Sequence, residues 1–198
     1  MRIWLIGTVT CIGVVLSTLT MTGPATATPA TSNSSASGSI SASPNPARLG
    51  KTTIKWRSTS STAAVFVSED GHAESLFAAS ASGSSVAAFV AAGHKYRFDL
   101  YPSRHSHIVL ASVVVTGATG IGASPNPAPD GKTTITWQST RSSAVVRVSV
   151  DGRGDALFAA GADGTSVASF IAAGASYRFS VYGSSYSHTA LASVVVKR

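Results

Sequence analysis

The chain has a single cysteine, Cys11, which lies inside an apolar N-terminal run. The cysteine-free remainder excludes disulfides, thiolate metal centres and thiol catalysis together, so stability has to come from core packing alone. Charge is scarce as well: only 12% of the 198 residues are charged, 15 Lys and Arg against 8 Asp and Glu. The resulting net charge of +7 is a thin surface excess. No run of Lys or Arg makes the stripe that a nucleic-acid binder needs, and no nucleic-acid partner is expected. After the N-terminal run no stretch has a helical period, and no glycine-rich loop leads from a strand into a helix as a phosphate site would.

What is present begins with a leader. Arg2 supplies a minimal positive start, an apolar stretch runs from Ile3 to about Leu19, and Ala25-Thr26-Ala27 offers small residues for cleavage. The rival reading is a retained membrane anchor. Thr8, Thr10, Ser17 and Thr18 dilute the stretch, and Gly23-Pro24 interrupts it. Residues 1–27 are therefore read as a cleaved secretion signal, with no stable membrane insertion afterwards and an extracellular location, free or at the cell surface. Residues 28–38 are Ala, Thr, Ser, Pro and Gly with one Asn and no large apolar side chain. Such a segment cannot offset the entropy of ordering itself and is expected to be a flexible tether.

The rest is one unit written twice. Ser41–Gly117 aligns without a gap on Gly122–Arg198: Ser43-Pro44-Asn45-Pro46 falls on Ser124-Pro125-Asn126-Pro127, and Lys51-Thr52-Thr53-Ile54 on Lys132-Thr133-Thr134-Ile135. Leu76-Phe77-Ala78-Ala79 falls on Leu157-Phe158-Ala159-Ala160. With roughly 60% of aligned positions identical, this is duplication. Two domains are expected, 39–117 and 118–198, joined by about four residues, Thr116 to Thr119.

Within a copy the period is two. Ile54 and Trp56 alternate with Lys55 and Arg57, Val65 and Val67 with Phe66, and Tyr96, Phe98 and Leu100 with Arg97 and Asp99. Asp70-Gly71 and Asp151-Gly152 suit tight hairpins, and glycines precede the Ile-Trp and Tyr-Phe segments. Seven short strands per copy follow, centred near Ile40, Ile54, Val65, Phe77, Val86, Phe98 and Val113. This is the signature of an all-β protein of two antiparallel sandwiches. The Pro-Asn-Pro motifs are expected at the end of an edge strand, blunting edge-to-edge pairing.

Ala92-Gly93-His94-Lys95-Tyr96-Arg97-Phe98, repeated as Ala173-Gly174-Ala175-Ser176-Tyr177-Arg178-Phe179, resembles the tyrosine corner of fibronectin type III and immunoglobulin-like modules. Trp56 and Trp137 resemble the core tryptophan of the fibronectin type III pattern. The succession Ser-Pro-Asn-Pro, Thr-Thr-Ile-x-Trp, Asp-Gly, Leu-Phe-Ala and Leu-Ala-Ser-Val-Val-Val is similar to Ig-like repeats in bacterial exported proteins. The resemblance implies structural roles for Trp56, Trp137, Tyr96 and Tyr177 and carries over no functional residue. The chain departs from antibody-type domains in lacking the cysteine pair.

Candidate chemistry is thin. Serine is everywhere, so a Ser/His/Asp coincidence carries no information, and Asp70 and Asp151 are explained by their turns. No enzymatic activity and no cofactor are expected. His105-x-His107 offers two imidazoles where three or four ligands are needed, and Tyr186 stands opposite His105 in the second copy, so no metal site is expected. Arg153-Gly154-Asp155 spells an integrin-type tripeptide, which an exposed turn would favour anyway.

One surface remains. Alternation turns Phe66, Arg97, Asp99 and Tyr101 away from the core on neighbouring strands, and the second copy places Arg147, Arg178, Ser180 and Tyr182 there. An aromatic ring beside arginine suits sugar rings or an acidic polymer. Phe66, Arg97, Tyr101, Arg147, Arg178 and Tyr182 are the candidate ligand-binding residues, against the plainer reading that Tyr and Arg favour half-exposed strand positions. Two functions follow: a structural or adhesive module contacting an unknown protein, or a binder of cell-wall polysaccharide.

Overall fold

Alternating side chains become strands when one face can be buried, and Lys51–Ser58 shows the pattern: Thr52, Ile54 and Trp56 are buried while Lys51, Lys55 and Arg57 face solvent. The computed structural model describes residues 35–198; the segments expected as leader and tether lie, up to residue 34, outside the described residues. The first repeat supplies β1 (Gly38–Arg48), β2 (Lys51–Ser58), β3 (Ala64–Glu69), β4 (Ser75–Ala79), β5 (Ser82–Ala87), β6 (Lys95–Tyr101) and β7 (Ala111–Ala118). The second supplies β8 (Gly120–Ser124), β9 (Thr133–Gln138), β10 (Val145–Val150), β11 (Ala156–Ala160), β12 (Asp163–Ala168), β13 (Ser176–Tyr182) and β14 (Ala190–Lys197). Each of the seven strand centres read from the first repeat falls within one of these strands.

In the second repeat the sheets are β12-β9-β8 and β11-β10-β13-β14. The first repeat has the same two layers, β5-β2-β1 and β4-β3-β6-β7, joined because the end of β1 leaves β2 and runs parallel to β7, Ala47 opposite Gly117. Three strands packed on four, with antiparallel neighbours throughout each layer, make an immunoglobulin-like β-sandwich. Each repeat has its own apolar cluster, one around Ile54, Trp56, Phe98 and Leu100, the other around Ile135, Trp137, Phe179 and Val181.

The tryptophans sit on glycines. Trp56 pairs with Gly83 across β2 and β5, and a Cβ at Gly83 would lie 2.5 Å from the indole; Gly164 and Trp137 repeat the arrangement. Each indole N–H donates to a carbonyl in the loop that leads to the glycine strand, Ser80 O at 3.0 Å and Gly161 O at 3.1 Å. The ring therefore fills the space a side chain would need, and its one polar atom is satisfied.

Three boundaries differ from the sequence reading. Ser37 and Gly38, assigned to the tether, are already paired: Ser37 N–H donates to Thr59 Oγ1 at 3.0 Å, and Gly38 stands opposite Ser58. The residues expected as a linker are mostly strand, since β7 runs to Ala118 and only Thr119 separates it from β8. The Pro-Asn-Pro motif lies within β1 where that strand changes sheets. There Asn45 Nδ2 donates to Val114 O at 2.7 Å, and Thr52 Oγ1 to Pro44 O at 2.7 Å. Prolines cannot donate ladder bonds, so the crossover is where they fit, and the second repeat repeats both bonds at 2.9 and 2.7 Å.

Leu49 marks the junction between repeats. It holds a left-handed backbone, φ 53°, ahead of Gly50 at 72°, in the hairpin between β1 and β2. That conformation is costly for leucine and favoured by Asn, Asp or Gly. Its side chain lies against β8, where a Cβ at Gly122 would come within 2.8 Å of Leu49 Cδ1 and one at Gly120 within 3.3 Å of its Cγ. The second repeat has Asp130 in the place of Leu49, and the first has Ser39 and Ser41 in the places of Gly120 and Gly122.

Candidate functional site

The outer face of each four-stranded sheet carries the aromatic and arginine residues singled out above. Tyr101 at the end of β6 and Tyr182 at the end of β13 lie outside the apolar clusters, yet only 9% and 8% of each is exposed. Tyr101 meets Phe66 of β3 edge to face, ring centroids 5.5 Å apart, and donates its hydroxyl to the Glu74 carboxylate at 3.0 and 3.1 Å. Burial, with the Glu74 carboxylate as acceptor, pushes its phenol up to about 12. Tyr182 donates to Asp155 Oδ2 at 2.8 Å and is covered by the Arg147 guanidinium, 4.9 Å above the ring. Its phenol is raised chiefly by the Asp155 bond and next by burial. Arg147 also donates to the carbonyl of Ser185.

The carboxylate buried on this face of the first repeat, Asp99, is satisfied internally, while Val114 opposite Arg97 stays half exposed. Asp99 is 1% exposed, held by Arg97 Nε at 2.9 Å and by the Ser112 hydroxyl. A buried carboxylate is tolerated only with such partners. Arg97 and Arg178 are themselves exposed, and Phe66 and Arg147 half-buried. The open aromatic patch expected from alternation is thus a closed one, because each tyrosine lies under a neighbour and is tied by its hydroxyl to an acid 27 residues earlier. Asp155, the last residue of the integrin-type tripeptide, is that acid in the second repeat.

Trp56 and Trp137 lie in the two apolar clusters. The Tyr96 and Tyr177 hydroxyls accept the backbone N–H of Ala91 at 3.3 Å and of Ala172 at 3.2 Å. That bond to backbone five residues upstream is the tyrosine-corner geometry. Tyr96 also donates to Glu69 Oε1 at 2.8 Å. Burial, then that bond, raises its phenol.

Two features were missed. One is the tip of the loop between β6 and β7, where Ile108 is 70% exposed and Val109 36%; its counterpart between β13 and β14 exposes Tyr186 by 88%. The bases of these loops are fastened, Ser60 and Thr62 to Pro102 O at 2.6 and 2.9 Å, and Ser143 to Gly183 O at 2.9 Å. A groove of about 410 Å³ beside the first loop is lined by Ser61, Thr62, Ser103, Arg104 and His105. Loop tips break the alternation that sequence reading depends on, so the only signal was apolar residues where turn residues belong. The other missed feature is the Glu69, Asp70 and His94 group, whose donor atoms all lie within 4.8 Å of one another. It joins a turn to a loop 24 residues away, beyond the reach of a local motif.

Strand order and paired cores define the class: tandem immunoglobulin-like β-sandwiches. No family model and no curated protein matches the chain. Among solved structures it is similar to the human OSCAR ligand-binding domain, at TM-score 0.28 and 13% identity over 81% of this chain and 96% of that one. A chain from a cytokine receptor complex gives 0.29 and 8%, over 80% and 91%. The BSP domain of a biofilm associated protein gives 0.31 and 10%, over 80% of this chain and 29% of that one. Likeness at these scores carries no argument about function. Among the described residues no helix is long and apolar enough to cross a membrane.

Proposed function

We propose that this chain is an exported, non-catalytic contact module of the cell surface, a rigid pair of sandwiches that presents its loops to a protein partner. The observation that carries this reading is the set of large apolar and aromatic side chains on the β6–β7 and β13–β14 loops. Ile108, Val109 and Tyr186 are exposed and the loop bases are hydrogen-bonded. Tyr101 and Tyr182 on the sheets are instead covered, and the apolar side chains that the strands expose, such as Val86, Val114, Leu157 and Val167, are spread over separate strands. Apolar and aromatic side chains offered on anchored loops are the groups that become buried anchors in protein contacts.

Polysaccharide binding is the second reading, and Tyr186 favours it: at 88% exposure this ring is free to stack on a sugar, unlike Tyr101 and Tyr182. Retention of the full chain on bacterial cell-wall fractions, chitin and cellulose separates the two. Protein contact predicts retention on cell-wall material that disappears when the material is treated with protease first, and none on pure chitin or cellulose. Retention that survives protease treatment would replace this reading with the polysaccharide one.

A further inference from the structure

Two repeats of one fold serve as controls for each other. At the turn between β3 and β4 they keep one acid and the corner tyrosine but differ at the second acid and at both histidines. Glu69, Asp70, His72 and His94 of the first repeat correspond to Val150, Asp151, Arg153 and Ala175 of the second. The shared acid has a structural task in both, since Asp70 Oδ1 accepts the Lys95 N–H at 2.8 Å and Asp151 Oδ1 the Ser176 N–H at 2.9 Å. Val150 and Ala175 pack against the second core. The fold therefore does not need Glu69 or His94, and their presence in the first repeat calls for another account.

We propose that Glu69, Asp70 and His94 bind a divalent transition-metal ion, with zinc as the ion they suit, and that this site belongs to the first repeat alone. His94 Nδ1 lies 3.2 Å from Glu69 Oε1 and 2.7 Å from Asp70 Oδ2. Ligands on one tetrahedral zinc, at about 2.0–2.1 Å from the metal, stand roughly 3.3 Å apart. The Glu69 and His94 spacing meets this, the Asp70 and His94 contact has to open by about half an ångström, and the Glu69 and Asp70 oxygens, within 4.8 Å of each other, have to settle at the same ~3.3 Å. Such movements are open to exposed side chains, and Asp70 is anchored through its other oxygen. Two carboxylates with a neutral imidazole balance the charge of a dication and leave one coordination position for water.

Each carboxylate is also held by a hydrogen bond, as metal ligands usually are. The Tyr96 hydroxyl donates at 2.8 Å to Glu69 Oε1, the same oxygen that faces His94, and the Lys95 N–H donates to Asp70 Oδ1, the oxygen that does not. The ion would clamp the β3–β4 turn to the loop before β6.

The test is calorimetric titration of the tag-free full chain with zinc chloride, paired with thermal melts. The comparison variant is Glu69→Val with His94→Ala, which installs the second repeat's own residues and whose metal-free melt checks its folding. The expected result is one ion per chain, binding weakened at least tenfold in the variant, and a zinc-dependent rise in melting temperature in the parent alone. A second variant, His105→Tyr with His107→Ala, is expected to bind as the parent does. Equal binding by parent and Glu69/His94 variant, no binding by the parent, or loss of binding only in the His105/His107 variant would each overturn the proposal.

Discussion

Tyr101 and Tyr182 occupy one position in two copies of the same sheet, and different neighbours cover them. In the first repeat Phe66 meets the ring edge to face; in the second, the residue in the place of Phe66 is Arg147, whose guanidinium lies over the ring. The acceptor changes as well, from Glu74 to Asp155, while the bond persists. An arrangement kept through exchange of its parts is doing structural work. The loop tips behave in the opposite way: Ile108 and Val109 correspond to Thr189 and Ala190, and His105 to Tyr186, with exposed groups on both sides. What the repeats share is scaffold, and where they diverge without a structural counterpart is where partners are to be sought.

The largest effects should fall on what is shared. Trp56→Ala and Trp137→Ala should each cost about 3–5 kcal/mol, read by urea unfolding, whereas Lys55→Ala, exposed beside Trp56, should change stability by less than about 0.5 kcal/mol. Comparable losses from the tryptophan and lysine changes would contradict the strand register. Gly83→Val and Gly164→Val should come next, at about 1–3 kcal/mol, because the new side chain must displace an indole. A neutral outcome there would mean the ring has room to move.

Alkaline titration tests the covered tyrosine. The Tyr101 phenol sits at about 12 in the folded protein, against about 10 in an unfolded chain. The folded state thus holds the proton more tightly. This stabilisation is complete below pH 10 and is lost as pH rises toward 12. Ultraviolet titration should show Tyr101 ionising late, together with Tyr96 and Tyr182, whose phenols are also raised, and Glu74→Gln should bring the Tyr101 midpoint down. A Tyr101 midpoint at the unfolded value would place the ring in solvent.

The smallest change in stability is expected at the junction. Leu49→Asp removes a half-buried apolar contact of about 1 kcal/mol, but it also relieves a left-handed leucine that costs about 1 kcal/mol or more. The melt should barely move. Amide relaxation should nonetheless show the two repeats tumbling more independently than in the parent; identical rotational behaviour would assign no coupling role to Leu49.

Much of the scaffold was legible because burial follows side-chain period: Ile54, Trp56, Phe98 and Leu100 are core residues in alternating strands. Strand ends were less so. Ser37 and Gly38 enter the ladder through backbone bonds that need no apolar side chain. Alternation assigned Asp99 and Tyr101 to the outer face, beside Arg97 of the same strand, but could not show that Ser112, Phe66 and Glu74 would cover them, since those partners come from β7, β3 and the loop before β4. Leu49 carried no signal in the sequence because its partners, Gly120 and Gly122, belong to the other repeat.

The central claim is that the sheets are scaffold and the loop tips make contact, and one paired measurement addresses it. Ile108→Ser with Tyr186→Ser is compared with Tyr101→Ser with Tyr182→Ser for melting temperature and for retention on protease-sensitive cell-wall material. The account predicts that the loop pair melts like the parent and loses retention at least tenfold, while the sheet pair melts lower and, below that melt, is retained like the parent. Full retention by the loop pair, with retention lost by a still-folded sheet pair, would contradict it.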